Sequence, residues 1–173
     1  MEATAQKNKK SYVNIVQNED NWSIEPDDKK TDYSIINKYK LPDAHRNAYT
    51  IYRRYDKDSV SMSKVIELNG YNYKIKKIRF RAKFSNSDID QTNDTLKLEA
   101  TLFNKNNIEK AIKSKLIVTD SVNHFEYFNL NFNEVFDLSN KSKLTIRITV
   151  ISGSDDSFYL GNSYATIDEI SIY

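Results

Sequence analysis

Phe158-Tyr-Leu-Gly-Asn-Ser-Tyr-Ala-Thr-Ile-Asp-Glu-Ile-Ser-Ile-Tyr173 is the stretch on which the fold turns. An aromatic run ends at Gly161, and the segment beyond it carries the carboxylate of Asp168 between Ile167 and the alternating pair Ile170 and Ile172. Alternation at period two marks a strand with one buried face. A carboxylate beside such a face requires a partner, a backbone turn or a cation, because an unpaired buried charge is expensive.

The same period recurs upstream. Over Tyr73–Phe84, Ile78, Phe80, Ala82 and Phe84 face one way and Lys77, Arg79, Arg81 and Lys83 the other. Leu96, Leu98, Ala100 and Leu102 repeat it, as do Phe125–Phe132 and Leu144–Val150, with Leu116–Val118 as a shorter piece. Ala48–Tyr55 and Val60–Leu68 read as strands, the second closed by the turn Asn69-Gly70. Asn106–Ser114 is the exception, with helical spacing at Ile108, Ala111 and Ile112, and reads as a short helix or a turn. About nine or ten strands joined by polar turns predict an all-β antiparallel sandwich.

The 173 residues suit one domain with a complete core. Residues 1–11, polar and basic, read as a disordered lead-in, and residues 12–173 as a single β-sandwich domain without repeats or a linker. No apolar run approaches the roughly 20 residues needed to span a bilayer, so membrane insertion is not expected. Residues 1–11 lack the apolar core of a signal peptide. With no cysteine, disulfides, thiolate nucleophiles and thiolate metal sites are excluded. A net charge of +2 gives no general attraction to nucleic acid, and none is expected as a partner. Twelve tyrosines against one tryptophan and three glycines is the sharper bias, since a tyrosine ring offers both a flat apolar face and a hydroxyl.

Taken with Val13-Asn-Ile-Val-Gln-Asn-Glu-Asp-Asn-Trp22 at the start and Tyr71–Phe84 in the middle, the Ile-Asp-x-Ile ending resembles the galactose-binding-like jelly roll of bacterial carbohydrate-binding modules. The resemblance covers roughly residues 12–173 and implies a jelly-roll β-sandwich closed by pairing of the last strand near Val13–Gln17. It implies a non-catalytic glycan-recognition domain of a bacterial exported or surface protein, with a glycan or cell-surface receptor as partner. It also implies one structural Ca2+, with Glu19, Asp20 and Asp168 at the matching positions. The same fold serves in phage, adhesin and toxin assemblies, so a structural or receptor-binding domain is the alternative.

Catalysis finds little footing in the residues. His45 and His124 stand alone, there is no nucleophile elbow or zinc-protease motif, and Asp155-Asp156 reads as a solvated turn. Asp88–Glu99 has acids at four calcium-loop positions, but Asn93 stands where the loop needs glycine and the tail is a strand. The candidate ligand residues are Arg79, Arg81, Tyr127, Asn129 and Arg147, expected together on one outward sheet face. Planar forks bond sugar hydroxyls and tyrosine stacks on ring faces. Outward positions bury little, so these residues are expected to be replaceable without loss of stability. The competing reading of the same stripe is a charged solvent face that keeps the sheet from pairing with other chains.

Overall fold

The computed structural model describes residues 22–25, 37–39, 48–53, 59–68, 73–86, 94–118, 124–138, 141–151, 153 and 163–173. These contain ten strands and no helix: β1 (Ser23–Glu25), β2 (Asn37–Tyr39), β3 (Ala48–Arg53), β4 (Ser59–Leu68), β5 (Tyr73–Asn86), β6 (Thr95–Phe103), β7 (Glu109–Val118), β8 (Glu126–Leu138), β9 (Ser142–Ile151) and β10 (Ser163–Ile172). They form two five-stranded antiparallel sheets, ordered β1-β4-β9-β6-β7 and β2-β3-β10-β5-β8. The chain passes repeatedly from one sheet to the other, as a jelly-roll sandwich requires.

The alternation does the sorting. Ile78, Phe80, Ala82 and Phe84 of β5, Phe128, Leu130 and Phe132 of β8, and Ala165, Ile167, Ile170 and Ile172 of β10 are buried. They meet Leu96, Leu98, Ala100 and Leu102 of β6, Leu144, Ile146, Ile148 and Val150 of β9, and Val60, Met62 and Leu68 of β4 in one hydrophobic cluster. Inner faces interdigitate this way because each sheet must remove one apolar face from water.

Two places depart from the sequence reading. Residues 109–118 are not helical: Ile112, Ser114 and Leu116 lie in register with Thr101, Glu99 and Lys97 on one side of β6, while Ala111 and Ile117 are set against Leu102 and Leu96 on the other. Pairing along β6 outweighs a helical spacing only one turn long. Asn104 fixes the preceding turn, its Oδ1 accepting N–H bonds from Asn106 and Ile108 at 2.9 Å each. The second departure is in β10, where Ile167 faces Ala82 and Glu169 faces Arg81, leaving Asp168 as an extra residue in a β-bulge. The lead-in 1–11 and the expected pairing with Val13–Gln17 lie outside the described residues.

Edge strand β7 protects itself. Lys113 and Lys115 occupy the register positions opposite Ala100 and Leu98, and the Lys115 ammonium lies 5.7 Å from the Phe128 ring centroid across the sandwich. A charge on the inward side of an edge discourages further strand addition. Truncating Phe80, fully buried in the centre, should cost about 3–5 kcal/mol. Ile112→Ala, half-exposed on β7, should cost about 0.5 kcal/mol or less. Urea unfolding of both variants checks the contrast.

Candidate functional site

The outer face of the second sheet is organised around the bulge. Because Asp168 is inserted after Ile167, the apolar phase is regained at Ile170, and Glu169 and Ser171 take outward positions opposite Arg81 and Arg79. A Nη1 of Arg81 donates to Oδ2 of Asp168. Arg79 Nη2 lies 3.2 Å from Oε1 of Glu169, and the Ser171 hydroxyl donates to the same oxygen at 2.7 Å. Asp168 and Ser171 are fully buried, and Glu169, Arg81 and Thr166 nearly so. Thr50 and Thr166 share a 2.9 Å hydroxyl contact on the next row. The face of β10 is therefore a closed polar ridge, its charges matched in pairs.

Beyond that ridge the face opens. On β8, Tyr127 pairs in register with Arg81, Asn129 with Arg79 and Asn131 with Lys77. Tyr127, Asn129 and Asn131 are all exposed, with Tyr127 retaining 47% of its surface. The Arg79 guanidinium lies 4.4 Å from the Tyr127 ring centroid and 5.0 Å from that of Tyr173. Lys77 sits 4.4 Å from Tyr173, and Arg81 4.6 Å from the Phe125 ring. Such contacts hold the rings in place. The result is a strip of one aromatic ring and two carboxamides, backed by a row of cations.

Four of the five candidate ligand residues, Arg79, Arg81, Tyr127 and Asn129, thus share one face. Arg147 does not. It lies on β9 in the other sheet, where its Nη2 donates to Glu25 Oε2 at 2.5 Å and to the Ser61 hydroxyl at 3.0 Å. Lys97 and Glu99, 2.5 Å apart, share that opposite face. Alternation assigns a residue to a face of its own sheet but does not say which sheet the strand joins, so period alone cannot separate Arg147 from the others. Arg81 also needs correcting: it is buried against Asp168 rather than displayed, so its removal is not neutral for stability. Asn131, Tyr173 and Glu169 complete the face and were missed. Asn131 was legible as the next outward step after Tyr127 and Asn129.

Of the acids implied for calcium, Glu19 and Asp20 lie outside the described residues. Asp168 fits a cation poorly, because a guanidinium already neutralises its carboxylate and would repel a second positive charge at that distance. Among the described residues no three His, Cys, Asp or Glu side chains converge as a metal site. His124 is exposed, its Nε2 2.9 Å from Glu126, and His45 is outside the described residues.

No protein-family model matches the chain, and no curated protein sequence matches it either. Solved structures do. The chain is similar to the carbohydrate-binding module TmCBM61, solved in complex with β-1,4-galactotriose, at 14% identity and TM-score 0.52 over 88% of this chain and 87% of that one. It is similar to the family 11 carbohydrate-binding module of a cellulosomal cellulase of Clostridium thermocellum, at 11% identity and TM-score 0.53 over 93% and 92%. It is also similar to the enzymatically active domain of tailspike protein 4 of bacteriophage CBA120, at 15% identity and TM-score 0.55, over 91% of this chain and 20% of that one. At these identities the likeness is one of fold: the all-β sandwich is that of carbohydrate-binding modules.

The Arg81–Asp168 pair generates a stability prediction. Removing either partner alone, as Asp168→Ala or Arg81→Ala, should cost about 3–5 kcal/mol, because each takes the opposite charge away from a buried ion. The double variant should lose much less than the sum, and a double-mutant cycle by chemical denaturation measures that coupling. Thermal melting should be unchanged by excess chelator. A midpoint lowered by several degrees would instead assign Asp168 to a bound cation.

Proposed function

We propose that this chain is a non-catalytic glycan-binding domain of an exported or surface protein, and that it binds through the Tyr127–Asn129–Asn131 strip of β8 with Arg79 and Tyr173 behind it. The observation that carries the reading is the exposed ring of Tyr127, held by Arg79 at 4.4 Å beside two exposed carboxamides. A sugar ring offers an apolar face of C–H groups and a rim of hydroxyls. The tyrosine face suits the first, and each carboxamide, with two donors and a carbonyl acceptor, suits the second. Along a strand, outward residues recur about every 6.8 Å, so successive asparagines address successive positions on an extended ligand. Affinity would be weak, because sugar hydroxyls exchange water for protein at little net gain.

The face is suited to binding rather than cleavage. Its two carboxylates are held by Arg81, Arg79 and Ser171, so neither Asp168 nor Glu169 is placed as an acid or base. The fold neighbours that carry oligosaccharides, such as TmCBM61 with its galactotriose, support the class of ligand. The second reading, a structural or receptor-binding domain of a phage, adhesin or toxin assembly, draws on half-exposed Val65, Ile112 and Leu116 on the opposite sheet.

Affinity electrophoresis against a panel of soluble neutral glycans separates the two. The glycan reading expects retardation in at least one gel, weakened roughly tenfold to a hundredfold by Tyr127→Ala and by Asn129→Ala, with melting midpoints unchanged because both side chains are exposed. No retardation of the intact protein in any gel, together with a defined oligomer by light scattering, would replace it with the assembly reading.

A further inference from the structure

A second polar site lies at one end of the other sheet. Glu67 of β4, Lys105 and Asn107 of the β6–β7 turn, Lys141 just before β9 and Lys143 within it line a cleft of about 330 Å3. Its size falls at the lower end of the roughly 300–1,000 Å3 typical of small-molecule sites. Three lysines against one glutamate leave the lining with two net positive charges. None of the three ammonium groups takes part in an ion pair among the described residues, whereas elsewhere on this sheet Lys97 and Arg147 each have a carboxylate 2.5 Å away. Lys113 and Lys115 of β7 meet Asn133 and the Phe128 ring rather than a carboxylate, so what sets the cleft apart is the gathering of three lysines around one recess, with Glu67 opposite Lys143 in register as its one carboxylate.

The backbone of the cleft is unusual in the same place. Asn107 and Lys141, at φ 59° and 69°, are the non-glycine residues with left-handed backbone among the described residues, and both line it. A Cβ disfavours that conformation, for lysine more than for asparagine. Glycine would relieve it at either turn, but would remove the amide and the ammonium from the cleft. Both turns are also pinned: Asn107 N–H donates to the Asn104 carbonyl at 3.0 Å, and Lys141 N–H to the Leu68 carbonyl at 3.2 Å. Like charges gathered on a rigid frame repel one another until an anion joins them.

We propose that this cleft binds an oxyanion carried on a sugar chain, a uronate carboxylate or a sulfate ester, with Lys105, Lys141 and Lys143 as the charge-assisted donors and Asn107 as the neutral one. The inference rests on the glycan reading for its carrier and adds acidic glycans to the ligands considered. Ammonium groups suit it because they meet an anion as point charges and need no single fork geometry. Lying on the sheet opposite Tyr127, the cleft would act independently of the ring-binding strip.

The test is affinity electrophoresis of the whole chain in gels containing polygalacturonate, dextran sulfate or a neutral galactan, with inorganic sulfate and phosphate titrated by NMR in parallel. The intact protein should be retarded by one of the acidic polymers, less so as salt rises. Lys105→Gln and Lys143→Gln should each weaken that retardation about tenfold or more, while Lys74→Gln, the same change of charge at an exposed position of β5 in the other sheet, leaves it in place. Lys105 is exposed, so its variant keeps the test open should replacement of Lys143 disturb β9. Retardation by galactan alone would overturn the anion site and keep the glycan reading. Response of the lysines to inorganic sulfate or phosphate, without retardation by either acidic polymer, would overturn the sugar carrier. Equal retardation of the glutamine variants and the intact chain by acidic polymers would overturn the assignment to this cleft.

Discussion

Everything on the second sheet depends on the single extra residue in β10. A strand that loses phase by one residue would turn Ile170 and Ile172 to solvent and bring Glu169 and Ser171 into the core. The bulge at Asp168 absorbs the slip, so Ala165 and Ile167 before it and Ile170 and Ile172 after it all face inward. The surplus residue is a carboxylate with no exposed surface, and the guanidinium of Arg81 from β5 offsets the cost of burying it. Sequence, register and electrostatics meet at that pair. Replacing Asp168 by an apolar residue would preserve the count of residues but take the carboxylate away from a nearly buried guanidinium.

The pair also decides what the neighbouring strand can display. With Arg81 committed to Asp168, and Arg79 divided between Glu169 and the rings of Tyr127 and Tyr173, neither arginine extends freely into solvent. A guanidinium held between aromatic faces is a positioning element more than a reaching one. What remains for an incoming ligand is the outer edge of β8, where the tyrosine and asparagines have fewer partners and more surface. Burial thus moves the accessible chemistry outward from the centre of the sheet, from charged forks to neutral amides and a ring.

Much of this was legible from the residues alone. Strict alternation in β5, β6, β8 and β9 placed the core residues and the outward set, because a half-buried strand leaves little else to explain the pattern. The bulge also leaves its mark in the sequence: Ile167 and Ile170 are three apart where Ile170 and Ile172 are two apart, and that break in period marks an inserted residue. Two features were not available from period at all. Which sheet a strand joins depends on long-range pairing, so Arg147 could not be separated from Arg79. The partner of Asp168 lies 87 residues away in sequence, on a strand whose arginines all looked alike. The cleft at Lys105, Lys141 and Lys143 was likewise hidden, because it is assembled from turns at distant points of the chain and owes nothing to alternation.

The two proposed surfaces lie on opposite sheets of one sandwich, and this has a consequence for how they combine. A rigid hydrophobic core separates them, and no residue lining the cleft belongs to the network around Arg81. Sites without shared partners couple weakly, so changes at one should add to changes at the other rather than amplify them. A single extended chain lying along β8 cannot also enter the lysine cleft without turning around the end of the sandwich. Two chains, or two segments of a branched one, can occupy both. The gain would then be one of effective concentration, with two weak contacts made jointly by a polymer instead of one tight contact made by a short sugar. For a surface built of one exposed ring, two carboxamides and three flexible lysines, that division of labour is the arrangement under which weak individual contacts still retain a large ligand.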